Sequence, residues 1–184
     1  MKQQPKELWE KQLSREYLYR GKIVNLRRDL VRLPGREEPA SREIVEHPGA
    51  VAILALDGER RVAFVRQYRH AAGRVLLEVP AGKLEAGEEP LQCARRELAE
   101  ETGCRGGEWS RLTWFYSSPG FCDEKIHLFL ARGVLPGELA AADDDEVLEP
   151  VWLALGEALR LLQEGTICDG KTIIALQFAA SLKV

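Results

Sequence analysis

The sequence has little of what zinc, thiol or nucleic-acid chemistry needs. Its four cysteines, Cys93, Cys104, Cys122 and Cys168, form no Cys-x-x-Cys pair and no metal spacing. Reduced thiols in the cytoplasm are their simplest account. The three histidines, His47, His70 and His127, are scattered, which reads as structural or surface histidine rather than a zinc site. Basic residues form no block and the net charge is only -3, so no nucleic-acid partner is expected. The longest apolar run, Ala50 to Leu56, is far too short to cross a bilayer. Met1 to Glu7 holds no apolar signal region, and no membrane partner is expected. Repeats and low-complexity linkers are absent. No strand leads into Gly-x-Gly-x-x-Gly and there is no P-loop, which excludes those two nucleotide-binding designs.

What is present is an ordinary core. At 184 residues and 45% hydrophobic content the chain suffices for one domain with an appendage. Tyr17 to Tyr19 and Ile23 to Leu33 are strand-like, with Gly21 between them, and Pro34-Gly35 marks a turn. Residues 41–46 pair back as a second strand, giving a hairpin-like arm. Ala50 to Leu56 reads as a buried strand, Asp57-Gly58 as a hairpin turn and Arg61 to Tyr68 as the returning strand. Further strands are expected at Leu76 to Val79, Arg111 to Tyr116, Lys125 to Ala131 and Val151 to Leu155. Helical patterns follow at Leu155 to Glu164 and Thr172 to Leu182. The chain is therefore of the α/β class, a mixed sheet between helices.

The segment from Gly82 to Cys104 carries the chemistry. Proline suits a first helical position, so a helix starts at Pro90; Gly103 is placed to take the left-handed conformation that ends it. At 100° per residue Glu97, Glu100 and Glu101 share one narrow sector, while Leu91, Ala94 and Leu98 form another that faces the core. Arg96, one turn before Glu100 and beside Glu97, can orient or partly neutralise the acids. A solvated acidic face is the usual reading of such a helix. Against it, like charges at i,i+4 cost roughly 0.2–0.5 kcal/mol, and Glu97 and Glu101 have no lysine on their own face. Oxygen-only ligands at this density suit Mg²⁺ or Mn²⁺ and not zinc.

These residues resemble the Nudix box at every fixed position: Gly82, Glu88, Arg96-Glu97, Leu98, Glu100-Glu101 and Gly103, with Cys104 where an aliphatic residue is usual. Glu46-His47-Pro48-Gly49-Ala50-Val51, Gln67-Tyr68-Arg69, Glu78-Val79-Pro80-Ala81-Gly82, Ser118-Pro119-Gly120-Phe121 and Asp169-Gly170-Lys171-Thr172 resemble the ADP-ribose pyrophosphatase subfamily. Pro119, sixteen residues after Gly103, is that subfamily's marker. The resemblance implies a Nudix α/β/α sandwich with a mixed β-sheet and an N-terminal β arm. It implies an arm over 1–46 that dimerises, and a hydrolase domain over 47–184. The activity implied is metal-dependent hydrolysis of a nucleoside diphosphate linked to another moiety, ADP-ribose giving AMP and ribose 5-phosphate. The alternatives are a nucleoside diphosphate sugar such as ADP-glucose or GDP-mannose, an oxidised nucleotide, or a non-catalytic nucleotide-binding module.

Site roles follow from the same resemblance. Glu97 and Glu101 would carry the metal, Mg²⁺ or Mn²⁺, with Glu100 as a further ligand or as the group that orients water, and the main-chain carbonyl of Ala81 would complete the set. Glu88 and Arg96 would hold loop to helix. Arg69 would grip phosphate in two places, with Glu78 beside it among the substrate-binding residues. Pro119, Gly120 and Phe121, in a type II turn, would shape the pocket for the terminal ribose, with Glu124 as a pocket carboxylate. Glu146, in the acidic loop Asp143 to Glu149, matches the subfamily's general base; Glu149 and a water activated through Glu100 are the alternatives. In the arm, Tyr19 would stack on adenine and Arg42 would reach the phosphates.

Overall fold

The structure, a computed structural model, describes residues 6–139 and 147–182. Its contacts divide into two units: residues through Pro48 with Tyr116–Glu124, and Gly49–Phe115 with Lys125–Val184.

In the first unit β1 (Lys11–Arg20), β2 (Asn25–Arg32) and β3 (Ala40–Glu46) form an antiparallel sheet in the order β1-β2-β3. The arm is thus three-stranded, not the hairpin read from sequence. The sequence reading catches only Tyr17 to Tyr19 of β1, because the rest of the strand is polar or exposed and offers no apolar alternation. Along β2 the residues Arg27, Asp29 and Val31 are buried and Arg28, Leu30 and Arg32 are exposed, the period of two expected of a half-buried strand. Two of the buried three are charged. They are bonded to each other, and Arg27 also pairs with Glu46 at 2.7 Å. The Val45 N–H donates to the Phe121 carbonyl at 2.7 Å, and the Asp123 N–H donates to the Val45 carbonyl at 3.1 Å, which fixes the 116–124 segment to β3.

In the second unit β4 (Ala50–Leu56), β5 (Arg61–Arg69), β6 (Arg74–Glu78), β7 (Ala81–Lys83), β8 (Arg105–Tyr116), β9 (Lys125–Leu135) and β10 (Leu148–Ala154) make one mixed sheet. The order is β10-β5-β4-β9-β8, with β6 on β5 and β7 on β4. β4 runs parallel to β9 in the register Ala50↔Ile126 through Leu56↔Arg132. A strand buried on both faces needs an unbroken apolar run, and β4 has one. Its Ala52, Leu54 and Leu56 pack with Leu155 and Ala158 of α2 (Leu155–Gln163) and Ala175, Leu176 and Ala179 of α3 (Gly170–Leu182). Val51, Ile53 and Ala55 pack on the other side with Cys93, Ala94 and Leu98 of α1 (Pro90–Thr102). That alternation is the α/β/α sandwich the sequence implied.

Two turns differ from the sequence reading. The β4–β5 connection is the four residues Asp57 to Arg60, with Arg60 at φ 62° and the Asp57 N–H bonded to the Arg61 carbonyl at 3.1 Å. The Asp57 carboxylate holds this turn by accepting from the N–H groups of Glu59 and Arg61, which a two-residue Asp-Gly reading leaves out. At Ser118 to Phe121 the Phe121 N–H bonds the Ser118 carbonyl at 3.1 Å, but Gly120 is not at positive φ. A type II turn requires φ above zero there, so the turn is not of that type. No helix among the described residues is long and apolar enough to cross a membrane.

Candidate active site

Helix α1 begins and ends where the sequence placed it. Pro90 occupies its first turn, and Gly103 sits at φ 72° with its N–H on the Ala99 carbonyl at 2.9 Å. A side chain at Gly103 would collide with the backbone of Gly137 and Glu138, so the position needs glycine for space as well as for conformation. Leu98 and Ala94 are fully buried beneath the helix, which fixes its rotation and turns the glutamates toward β7.

Arg96 lies at the centre of the acids. Its Nε and Nη2 grip both oxygens of Glu88 at 3.0 Å, and its Nη1 reaches Glu97 at 2.8 Å and Glu100 at 2.9 Å. The hydrogen bonds from Arg96 hold the Glu88 carboxyl down to about 2. Glu88 also accepts from the Glu85 N–H at 3.1 Å, so the pair ties the loop to the helix. Cys93, beneath them, donates to the Lys83 carbonyl at 3.4 Å; burial pushes its thiol up to about 12, so it is not a nucleophile.

Glu101 is buried and accepts from the Ala81 N–H at 3.0 Å. A Cβ added at Gly82 would fall on the Glu97 carboxylate, so that carboxylate lies directly against the backbone that follows Ala81. Glu97, Glu101 and the Ala81–Gly82 backbone therefore form one oxygen-rich locus, with the exposed Glu100 carboxylate on the same helix. An all-oxygen donor set of this kind fits a hard divalent cation. Among the described residues no three acidic, histidine or cysteine side chains already converge on a single metal position.

Beside this locus, at the end of β5, Arg69 makes a two-pronged contact with Glu78, Nε to Oε1 and Nη2 to Oε2, each at 2.8 Å. Glu78 also takes the Lys171 ammonium. Burial pushes the Glu78 carboxyl up, but Arg69 and Lys171 outweigh it and hold the group below the usual carboxylate range. The sequence expected Arg69 to meet phosphate and left Lys171 without a role; its contact with Glu78 spans 93 residues of chain. Asp169 caps α3 by accepting from the Thr172 N–H at 3.0 Å, a cap that the Asp-Gly-Lys-Thr run could have signalled. Glu149 lies on β10 and pairs with Arg66 at 3.2 Å. Glu146 lies outside the described residues.

The first unit holds the other expected residues. Tyr19 is exposed on β1, and Arg42 on β3 bonds Glu10 through Nε at 3.1 Å and Nη2 at 2.5 Å. Pro119, Gly120 and Phe121 form the turn described above, with Phe121 exposed. The His47 ring stands 3.5 Å from Glu124, and the Asp123 carboxylate accepts the His47 N–H at 2.9 Å.

The second unit thus combines a mixed sheet between helices, a glycine-framed acidic helix and an arginine anchored beside it. A model of the NUDIX domain matches residues 46–176, and a model of the nucleoside diphosphate sugar hydrolase N-terminal domain matches residues 10–45. The chain belongs to the Nudix family and is a Nudix hydrolase. It is 46% identical to a methanol dehydrogenase activator of Bacillus methanolicus over 92% of this chain and 91% of that protein. It is 42% identical to an ADP-ribose pyrophosphatase of Bacillus subtilis (strain 168) over 94% of each chain. A solved structure described as an ADP compounds hydrolase shares the fold, with a TM-score of 0.82 at 20% identity over 97% of this chain and 96% of that one.

Proposed function

We propose that this chain hydrolyses ADP-ribose to AMP and ribose 5-phosphate with Mg²⁺ or Mn²⁺. The observation that carries the reading is the oxygen-rich locus of Glu97, Glu101 and the Ala81–Gly82 backbone, with every box carboxylate in place. The likeness to an ADP-ribose pyrophosphatase along nearly the whole chain supports the choice of substrate.

A pyrophosphate resists hydrolysis because its negative charge repels an incoming oxygen. A divalent ion bound at the locus would offset that charge and acidify a water. Glu97, Glu101 and the Ala81 carbonyl would hold it, with Glu100 as a further ligand or as the group that orients the attacking water. Arg96 keeps Glu97 and Glu100 in line through its contacts to both. Arg69, fixed by Glu78, would bind the phosphate oxygens and orient the scissile bond. Glu146 is the proposed base that takes the proton from water, with Glu149 as its alternative. Pro119, Gly120, Phe121 and Glu124 would border the terminal ribose, and Tyr19 and Arg42 would act from the arm. We read the active unit as a homodimer formed through that arm. Four free thiols support a cytoplasmic location.

A second reading has a specific support. The arm matches the nucleoside diphosphate sugar hydrolase N-terminal domain, a description that admits a hexose-linked nucleotide such as ADP-glucose or GDP-mannose as well as ADP-ribose. A panel of ADP-ribose, ADP-glucose and GDP-mannose with Mg²⁺, products resolved by chromatography, decides between them. The highest kcat/KM on ADP-ribose with AMP as product is expected. A GDP-mannose optimum moves the assignment to the hexose-linked nucleotides, and no turnover on any of the three removes both substrate readings.

A further inference from the structure

Beside Arg69 and Glu78, which the proposed reaction uses, stand Lys171, Asp169 and Thr172, to which it gives no role. Glu78 is 1% exposed, yet it is an ionised group at the centre of a bonded ring. Arg69 forks onto it, and the Lys171 ammonium meets the same carboxylate. Lys171 also donates to Asp169 at 3.1 Å. The other oxygen of Asp169 accepts from the Thr172 hydroxyl at 2.6 Å, and that hydroxyl accepts from the Val79 N–H at 2.9 Å. The chain of bonds thus returns to the residue after Glu78.

The charges in this ring balance: two carboxylates, Glu78 and Asp169, and two cations, Arg69 and Lys171. The cations are unequally placed. Arg69 keeps 39% of its side chain open, whereas Lys171 keeps 12%. Of the five N–H donors in a guanidinium Glu78 occupies two, and among the described residues the other three meet no acceptor, so they can serve an anion. Were Arg69 the sole counter-ion of Glu78, sharing it with a phosphate would leave a buried carboxylate under-compensated, which is strongly unfavourable. A second, inner cation removes that conflict.

We propose that Lys171 is a positioning residue: it neutralises and holds Glu78 from beneath, so that Glu78 aims Arg69 at the anionic substrate without retaining its charge. This rests on the reading that Arg69 meets the pyrophosphate.

The test compares Lys171→Met, Lys171→Arg, Arg69→Ala and the Arg69→Ala/Lys171→Met double variant. KM and kcat are measured on ADP-ribose with Mg²⁺, affinity for the non-hydrolysable α,β-methylene analogue by calorimetry, and thermal midpoint. Lys171→Met should raise both KM and the analogue Kd about tenfold with kcat changed less than about threefold, the pattern of lost binding rather than lost chemistry. Lys171→Arg should restore most of the affinity. In the Arg69→Ala background, Lys171→Met should add no further loss, because coupled residues are not additive. Additive losses, or a lowered thermal midpoint with unchanged KM and Kd, overturn the proposal. If Lys171→Met does not fold, Glu78→Gln takes its place with the same expected rise in KM, and an unchanged KM there overturns it equally. If Arg69→Ala alone changes neither KM nor Kd, the reading of Arg69 itself is what fails.

Discussion

Around Arg96 one guanidinium serves three carboxylates, Glu88, Glu97 and Glu100, with Glu101 close by along the same helix. Around Glu78 one carboxylate serves two cations, and a second acid, Asp169, brings the ring to neutrality. The first cluster keeps an excess of negative charge at a partly open surface; the second is balanced and largely buried. Charge excess there leaves acids able to accept a cation at the cost of helix repulsion. Charge balance here lets one arginine be held rigidly where isolated burial would be prohibitive. As proposed, the two neighbouring clusters would be complementary, the acidic locus attracting a cation and the anchored arginine beside it meeting an anion.

Removing the charge excess around Arg96 should have the largest effect. Glu97→Gln and Glu101→Gln should each lower kcat by roughly 10²–10⁴, the range for losing a positioned catalytic group. The folded state should persist, since glutamine at 101 still offers an oxygen to the Ala81 N–H. Steady-state turnover at saturating Mg²⁺ with circular dichroism checks both halves; near wild-type turnover in either variant would remove the metal-ligand assignment.

A milder perturbation keeps every charge and moves one. Gly82→Ala places a methyl where the Glu97 carboxylate lies. A displacement of about 1 Å in a catalytic group can cost on the order of 10²-fold in rate, and a loss of that size in kcat is expected. Arg69 and Glu78 are untouched by it, so affinity for a non-hydrolysable analogue measured without metal should hold. An equal fall in that affinity would mean that the two clusters are not separate in function.

How much of this is legible in sequence differs between the clusters for a physical reason. Helix α1 carries its own punctuation, proline in the first turn and glycine at its end, and its acids and apolar residues separate by the helical period. The Arg96 contacts with the three carboxylates span at most eight residues and follow from that local geometry. The Glu78 ring joins β6 to the start of α3 across 93 residues, and no local pattern reports such a contact. Glu78 is singled out in the sequence only through the family resemblance; nothing in its own strand pattern signals its burial or its two cationic partners. The same limit explains the arm: beyond Tyr17 to Tyr19, β1 gains its length by pairing with β2, which the pattern of its own residues does not announce. β7 is likewise hidden, because three residues paired to β4 are too short for periodicity to register.

The smallest expected effect sharpens the comparison through pH. Arg96 holds Glu88 near 2 where an unperturbed glutamate is near 4.5. A carboxylate depressed in the folded state contributes stability above its unfolded value and loses it as pH falls through its folded value. The Glu88 share of the fold's stability is therefore complete above about pH 4.5 and is lost on going down toward about 2. Arg96→Met returns Glu88 toward its ordinary range and removes that share. Urea unfolding midpoints of the wild type and Arg96→Met should differ by a steady gap from neutral pH down to about 5, and the gap should narrow through the window from 4.5 to 2. A gap that stays constant in acid would mean that Arg96 acts through packing of its stem and not through Glu88. One that widens in acid would contradict the ion pair outright. At neutral pH the same variant should also lose turnover, because Glu97 and Glu100 lose their shared hydrogen-bond donor. Stability and activity would then separate the two jobs of one guanidinium: tying the loop through Glu88, and aligning the acids through Nη1.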